Sequence, residues 1–519
     1  MPSSTVKEHS AHFPSPKAAF RQSYILAGHR SLVGASLARI RSSRNGICAL
    51  LALFFVCAIS VTAQTLKARI SVVSSDPAKV RVDLEFPAPA TKISIRNSYG
   101  GALGLAERIE LIEGTRQAQQ VEVRKKAPGE FDATEKFDRI SYYVNATQPL
   151  RPGQLAQISW LDSQQGLLLL SDLIPYLVEG IKVSSAEVEL NLPAGWSVES
   201  NAVRINAQTF VTRDVDKAVF VLAPKLRRIE FRGPAPKYSL INVGKWPFSE
   251  KDAVKLIQRF LDEYERVTEF KIKDGATVML LPFPGDVGPE NWSAETRGDT
   301  VVLFVGNKEK KKRVLSRLGI ALSHELFHLW VPNSLDLEGD YDWFFEGFTL
   351  YQALRSDLRL GLISFENYLQ TIARLYESYR VSPDRDRMSL IEASERRWSS
   401  GTSSVYEKGM LVAFMYDLML KDSSNCAGSF NSLYRELFRL PPARHRNANE
   451  TIISLLNGRV ESRNLTAKYV EGKEPIDLER FLSAYALELR TEKGKGTLRS
   501  KKEATQEQRK FFRCIEKGD

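Results

Sequence analysis

Two kinds of hydrophobic pattern divide the chain into a first and a second part. Between residues 66 and about 232 polar and apolar residues alternate, most clearly over Lys79 to Phe86 and Ala186 to Leu192, and Ala218 to Leu222 is a short apolar run. Alternation with a period of two is typical of strands that bury one face. This part is therefore predicted to be an antiparallel β domain.

The second pattern begins after Gly233-Pro234-Ala235-Pro236, a turn-forming sequence that marks a domain boundary. The residues beyond it are predicted to form an amphipathic helix, two strands and then mostly helices, at Glu250 to Arg266, Thr277 to Leu281, Thr300 to Val305, Tyr406 to Leu420 and Leu478 to Leu489. The last thirty residues are charged and poor in apolar groups, so this end is expected to fray. The predicted fold class is α+β with several domains.

The first 63 residues have the composition of a targeting segment. Seven Lys or Arg stand there against one acidic residue, and an apolar run from Ile47 to Val61 is followed by Thr62-Ala63-Gln64. A basic region, an apolar core and small residues at the cleavage position are features of a secretory signal, here cleaved after Ala63. An uncleaved membrane anchor is the alternative. Either one predicts an exported protein that is periplasmic, secreted or held at the membrane facing outward.

The composition is that of an ordinary folded enzyme. The 519 residues are 43% hydrophobic and 26% charged, enough for two or three domains with real cores. More than half of the net charge of +11 lies in residues 1–63, and the densest later run, Lys308 to Arg313, contains no aromatic residue. Nucleic-acid binding is therefore not expected. Beyond the first 63 residues only Cys426 and Cys514 remain, which either form one disulfide or stay free thiols.

The strongest chemical signal is His324-Glu325-Leu326-Phe327-His328. Histidines four residues apart lie on one face of a helix, so both imidazoles can bind one metal ion while the glutamate between them faces a water molecule. The alternative to a metal site is that two solvent-facing histidines have this spacing by chance. The chain has six histidines, and apolar residues at helical spacing before Pro332 indicate a largely buried helix. The pattern predicts one zinc ion per chain.

Glu346 is the candidate for the third zinc ligand. It lies in the otherwise apolar sequence Trp343-Phe344-Phe345-Glu346-Gly347-Phe348, where a carboxylate is costly unless it is paired or bound to a metal. The seventeen residues 329–345 allow a helix end, a loop and a returning helix. Three protein ligands leave one position of a tetrahedral zinc ion open, as in catalytic sites. A salt bridge within the core is the structural alternative for this glutamate.

These residues resemble the gluzincin zinc peptidases, in particular the aminopeptidase N-like and glycyl aminopeptidase families. The family pattern continues from HExxH through a tryptophan and an asparagine to Glu-Gly-Phe, similar to Trp330, Asn333 and Glu346-Gly347-Phe348 here. Val405-Tyr406-Glu407-Lys408-Gly409 resembles the family's Tyr-Glu-Lys-Gly segment. The resemblance implies that Tyr406 donates a hydrogen bond to the developing oxyanion. Without the resemblance, a tyrosine packed in the core would be the simpler interpretation.

Two glutamates further upstream are candidates for binding the amino group of a peptide. Gly288-Pro289-Glu290-Asn291-Trp292 resembles the aminopeptidase segment Gly-x-Met-Glu-Asn-Trp, although the glycine is one place too close and proline replaces methionine. Ala294-Glu295-Thr296-Arg297 resembles the corresponding segment of the glycyl aminopeptidases. The resemblance implies that Glu290 or Glu295 forms an ion pair with the substrate ammonium group. Either residue could instead be a solvated loop acid.

Together these expectations describe an exported zinc metallopeptidase that acts on peptides or proteins. Zinc on His324, His328 and Glu346 would activate water, Glu325 would act as general base and acid, and Tyr406 would stabilise the oxyanion. Aminopeptidase activity is favoured because a glutamate can bind a free amino terminus. The alternatives are a zinc endopeptidase and a non-catalytic envelope scaffold with a structural metal.

Four segments are predicted along the chain. Residues 1–63 form a signal peptide or anchor, which is the one expected contact with a membrane, and residues 64–233 form the β-rich domain. Residues 234–440 form a catalytic domain whose thermolysin-like order is implied by the resemblance. Residues 441–519 form a helical region with a charged tail.

Overall fold

The computed structural model describes residues 65–232, 237–443, 445–485, 487–492 and 495–517. The expected leader and the Gly-Pro-Ala-Pro boundary lie outside the described residues. Within the described ranges, no helix is both long enough and apolar enough to cross a membrane.

An eleven-stranded sheet forms most of the first part, as the alternating pattern predicts. The buried positions of its strands follow a period of two, for example Val80, Val82 and Leu84. The described pairings are antiparallel except one, between Leu66–Ser75 and Ala186–Asn191, which run parallel. The strands of this sheet are Leu66–Ser75, Ala78–Ser94, Ile109–Arg116, Gln119–Val121, Val123–Ala127, Glu130–Asn145, Leu177–Val178, Ile181–Lys182, Ala186–Asn191, Val203–Arg204 and Thr209–Thr212.

A four-stranded sheet lies beneath the first, and two of its strands, Gly166–Leu169 and Val219–Ala223, are buried on both faces. Its strands are Trp160–Leu161, Gly166–Leu169, Ser197–Ser200 and Val219–Ala223. Phe220 and Leu222 join the core of the eleven-stranded sheet, whereas Val219 and Val221 pack with the next sheet. Because neighbouring residues of a strand point to opposite faces, a continuous apolar run is what this middle layer requires.

A five-stranded sheet forms the third layer and carries the second part of the chain. Its strands, in spatial order, are Leu226–Phe231, Tyr238–Val243, Ala276–Pro282, Thr300–Val305 and Trp292–Arg297. The three central strands run parallel, and the two outer strands are antiparallel to their neighbours. One face packs on the four-stranded sheet and the other on helices.

Helices make up most of the remaining chain. The first begins with a capping box formed by Ser249 and Asp252 and runs from Glu250 to Thr268. The longer α-helices are Glu250–Thr268, Lys311–Phe327, Thr349–Arg359, Phe365–Val381, Leu390–Glu395, Gly409–Ser423, Asn431–Phe438, Ala448–Leu456 and Gln506–Lys517. The molecule is thus a multidomain α+β protein with a β-rich N-terminal part and a mainly helical C-terminal part.

The C-terminal region differs from the prediction at two places. The helix expected from Leu478 to Leu489 ends at Leu482, and Leu487–Glu492 pairs instead with Lys495–Ser500, so that Leu487 and Leu498 are buried. The tail expected to fray contains the helix Gln506–Lys517. Two tertiary contacts explain its order: Ile515 is buried in the core, and a disulfide joins Cys514 to Cys426, with 6.2 Å between their Cα atoms.

Candidate active site

The HExxH motif lies at the end of the helix Lys311–Phe327. Val314, Leu318, Leu322 and Leu326 recur at helical spacing and are buried, which fixes the helix on the core. His324 and Glu325 belong to its last turn. His328 follows the last residue and keeps right-handed helical dihedral angles, so the two imidazoles stay one turn apart.

Glu346 is carried by a π-helical turn, Trp343–Phe348, that leads directly into the next α-helix. Such turns are rare and often occur at functional sites. A Cβ atom added to Gly347 would lie 2.6 Å from the Cα atom of Gly409, so two backbones meet here with no room for a side chain. This close approach places Tyr406, in a second π-helical turn that ends just before Gly409, beside Glu346.

The three predicted metal ligands converge on one point. His324 Nε2 lies 3.0 Å from His328 Nε2, and Glu346 Oε2 lies 3.3 Å from the first nitrogen and 3.6 Å from the second. In a tetrahedral zinc site with bonds of about 2.05 Å, ligand atoms lie roughly 3.3 Å apart. Two imidazole nitrogens and one carboxylate oxygen at these separations therefore fit a zinc ion.

The surroundings of these ligand atoms also favour a bound cation. His328 Nδ1 donates to the carbonyl oxygen of Val331 at 2.9 Å, so Nε2 of the neutral imidazole carries no proton and can bind a metal. Glu346 Oε2 is buried and has no hydrogen-bond partner among the described residues. Burial alone would lower the pKa of His328, but the Glu346 carboxylate raises it to about 9. Burial would raise the pKa of Glu346, yet His328 holds it well below its usual range.

Glu325 is held by a residue of the neighbouring strand. Thr296 Oγ1 donates to Glu325 Oε2 at 2.7 Å, and the same hydroxyl lies 2.8 Å from the Glu325 carbonyl oxygen. The side chain is buried, with 7% of its surface exposed. The hydrogen bond from Thr296 thereby fixes the orientation of the Glu325 carboxylate.

Tyr406 is placed to donate a hydrogen bond. Its hydroxyl oxygen accepts from Arg397 Nη2 at 2.5 Å. Burial and the Glu346 carboxylate raise the pKa of Tyr406 far above its ordinary value, so the phenol stays protonated at physiological pH.

The segment that contains these groups also matches a known family. Residues 318–412 match the model of the M61 glycyl aminopeptidase family, and this range includes His324, Glu325, His328, Glu346 and Tyr406. The protein is a zinc metallopeptidase whose site resembles that of the gluzincins.

The chain is similar to solved structures of an aminopeptidase N family protein and of an M1 zinc metallopeptidase. The aminopeptidase N family protein from Idiomarina loihiensis is 18% identical, with 82% of this chain and 79% of that chain covered and a TM-score of 0.68. The M1 zinc metallopeptidase from Deinococcus radiodurans is 15% identical, with 80% of this chain and 96% of that chain covered and a TM-score of 0.47. The first of these similarities supports the fold. No curated protein matches the sequence.

The site of the metallopeptidase opens into a cavity of about 510 Å³. The predicted zinc ligands, Glu325, Tyr406 and Glu295 all line it. The hairpin formed by Ser98–Tyr99 and Ala102–Leu103 of the β-rich part contributes a further wall. Both the β-rich and the helical parts of the chain therefore shape the substrate site.

The strand Trp292–Arg297 connects these two parts. Ser293 and Glu295 face the β-rich part, because Ser293 hydrogen-bonds Gly153 and Ala156 while Glu295 accepts from Tyr99 and Gln157. Thr296, which follows Glu295 in the strand, points to the opposite face and donates a hydrogen bond to the Glu325 carboxylate. The strand thus sets a candidate substrate-binding carboxylate, Glu295, beside the candidate general base, Glu325.

The structure separates the two glutamates considered for the substrate ammonium. Glu295 receives hydrogen bonds of 2.7 Å from the Tyr99 hydroxyl and 3.3 Å from Gln157 Nε2, and burial raises its pKa above the ordinary value. Glu290 lies in the preceding loop, is 56% exposed and pairs with Arg313 at 3.5 Å. It is not among the residues that line the cavity. The geometry therefore favours Glu295 over Glu290 as the candidate for binding the substrate ammonium group.

Two motif residues have structural contacts. Trp330 is fully buried and donates from Nε1 to the Phe270 carbonyl, whereas Asn333 Nδ2 donates to the Gly298 carbonyl at 2.7 Å. Asn333 also lines the cavity.

Sequence reasoning did not single out Arg397, which lines the cavity and contacts both Glu346 and Tyr406. The available signal was indirect: a carboxylate buried in the apolar sequence around Glu346 requires a cationic partner or a metal.

Proposed function

We propose that this metallopeptidase is an exported aminopeptidase that removes residues from the free amino termini of peptides. The observation that carries the proposal is the position of Glu295, a partly buried carboxylate in the same cavity as the zinc ligands and Glu325. Its two hydrogen bonds from Tyr99 and Gln157 use two of about four lone-pair positions of a carboxylate. The remaining positions can accept from a substrate ammonium group.

The arrangement supports a general-base mechanism. Zinc held by His324, His328 and Glu346 would supply a Lewis acid that polarises the scissile carbonyl group and acidifies water. Glu325, whose carboxylate is held by the hydrogen bond from Thr296, takes the proton of the attacking water and later delivers it to the leaving amine. Tyr406 donates a hydrogen bond from its hydroxyl group to the oxyanion of the tetrahedral intermediate.

We also infer the domain organisation from the sequence and the order of elements. The strands of the five-stranded sheet, followed by the HExxH helix and the helix that bears Glu346, have the order expected of a thermolysin-like catalytic domain. The boundaries proposed from the sequence are 64–233 for the β-rich domain, 234–440 for the catalytic domain and 441–519 for the C-terminal region.

Blocking the amino terminus of the substrate tests the aminopeptidase proposal. A peptide with a free amino terminus should be cleaved after its first residue, whereas its acetylated form should be cleaved at least about tenfold more slowly, because the amide lacks the charge that Glu295 binds. The products would be identified by mass spectrometry. Equal cleavage of both peptides, at internal bonds, would indicate an endopeptidase instead.

Exchanging each glutamate for glutamine identifies the substrate anchor. Glu295→Gln should raise KM for free-amino peptides by about 10- to 100-fold, since a hydrogen bond between charged groups contributes roughly 1.5–3 kcal/mol. KM of the parent should also rise as the pH falls through the pKa of Glu295, because the protonated carboxyl binds an ammonium group weakly. Glu290→Gln is the matched exchange outside the cavity. If it raised KM and Glu295→Gln did not, the anchor would be Glu290.

Export is supported by the leader pattern of residues 1–63 and by the disulfide between Cys426 and Cys514, since disulfides persist mainly in oxidising compartments. Expression of the full chain followed by cell fractionation and N-terminal mass spectrometry tests this part. The expected mature protein begins at Gln64 and is found outside the cytoplasm. An intact leader on membrane-bound protein would indicate the anchor instead, and a cytoplasmic location would refute export.

A further inference from the structure

Arg397 makes three short polar contacts at the centre of the site. Its Nη1 atom lies 2.6 Å from Asp342 Oδ1, while Nη2 lies 2.7 Å from Glu346 Oε1 and 2.5 Å from the Tyr406 hydroxyl. The residue is buried, with 9% of its surface exposed. The guanidinium carbon also lies 4.3 Å from the centre of the Trp398 ring, so stacking holds the planar group.

The contact with Tyr406 fixes the direction of the phenol proton. A guanidinium group has donors and no acceptor, so the Tyr406 oxygen must accept from Arg397. The phenol therefore cannot donate its own hydrogen to the Arg397 guanidinium group. In a cavity that also contains the zinc ligands and Glu325, the hydrogen is left for an acceptor on the substrate.

The contact with Glu346 gives its two carboxylate oxygens different roles. Oε1 accepts from Arg397, whereas Oε2 faces the imidazole nitrogens of His324 and His328 and has no hydrogen-bond partner among the described residues. Arg397 therefore prevents the carboxylate from turning Oε2 away. Asp342 holds the other arm of the guanidinium group.

We propose that Arg397 is a positioning residue that orients the Tyr406 hydroxyl for donation to the oxyanion. The proposal rests on the catalytic role proposed for Tyr406. A lysine would preserve the positive charge but could not reproduce the planar fork that joins two carboxylates and the phenol. The function of Arg397 thus depends on the planar geometry of its guanidinium group as well as on its charge.

A double-mutant cycle with Arg397→Lys and Tyr406→Phe tests this role. Arg397→Lys alone should lower kcat by about 10- to 100-fold with KM changed less than about threefold, since small misplacements of catalytic groups have effects of this size. In the Tyr406→Phe background the same exchange should lower kcat by less than about threefold, because the group that Arg397 orients is gone. Zinc content should stay near one per chain in all three variants.

Arg355→Lys is the matched control. Arg355 is as deeply buried as Arg397 and lies 3.4 Å from Asp417, but it does not line the active-site cavity. Its exchange should leave kcat within about threefold of the parent. The proposal is overturned if Arg355→Lys loses as much activity as Arg397→Lys, if Arg397→Lys costs the same factor with and without the tyrosine hydroxyl, or if its activity falls only in proportion to lost zinc.

The same measurements separate two kinds of failure. If Tyr406→Phe alone kept the parental kcat, the proposed role of the tyrosine would be wrong, and Arg397 would lose its proposed purpose. If Tyr406→Phe were impaired while Arg397→Lys stayed fully active, the proposed function would stand and the inference about Arg397 would fall.

Discussion

The Glu325→Gln variant should keep its zinc and lose at least about 100-fold in kcat. General-base catalysis contributes roughly 10²–10⁴ to enzymatic rates, and an amide cannot accept the proton of the attacking water. The exchange is nearly isosteric, and an amide oxygen can still accept the hydrogen bond from Thr296, so the helix should keep its position. Steady-state kinetics on a free-amino peptide, together with elemental analysis, measure both effects.

Asp357→Asn is a suitable control for this exchange. Asp357 is buried beside the same helix, accepts a hydrogen bond from Ser323 at 3.2 Å and lies outside the cavity. Burial raises the pKa of Asp357 well above its usual range, so an uncharged amide of the same shape should be tolerated at this position. Its kcat should stay within about threefold of the parent. A fully active Glu325→Gln enzyme would instead favour the scaffold hypothesis.

Replacing both histidines by alanine should abolish metal binding and turnover together. The parent is expected to hold one zinc per chain after purification with zinc, and His324→Ala/His328→Ala removes two of the three ligands. The remaining carboxylate binds zinc too weakly to survive dialysis. Elemental analysis of the folded variant, with circular dichroism to confirm its fold, gives the measurement.

His445→Ala is the control for nonspecific binding by histidine. His445 is 82% exposed at its side chain and lies 3.0 Å from Glu338, outside the active-site cavity. This variant should retain one zinc and the parental activity. Zinc retained by the double alanine variant, or less than about half an equivalent in the parent, would contradict the assignment of the metal site.

Much of the architecture follows from local pattern. The alternation over Lys79 to Phe86 marks part of the strand Ala78–Ser94, and Thr300 to Val305 has the predicted bounds. In both segments the local pattern of apolar residues is that of a strand, so neighbouring residues alone are enough to predict the element. The C-terminal hairpin is different, because the pairing of Leu487–Glu492 with a partner strand depends on contacts that no local window contains.

The sequence by itself determined the metal chemistry of this protein. His324, Glu325 and His328 are related by one helical turn, so their relative placement follows from helix geometry alone. The apolar sequence around Glu346 also indicated that its buried carboxylate needs a metal or a cationic partner.

Only the tertiary structure decided which residues complete the site. Tyr99, Gln157 and Glu295 come from distant parts of the chain, and they meet because the strand Trp292–Arg297 lies between the β-rich part and the HExxH helix. Arg397 reaches the same cavity through its contacts with Glu346 and Tyr406. Glu290 and Glu295 resemble family segments about equally well in sequence. The strand turns one of them into the cavity and leaves the other in an exposed loop, since placement of a side chain depends on which layers pack on each face.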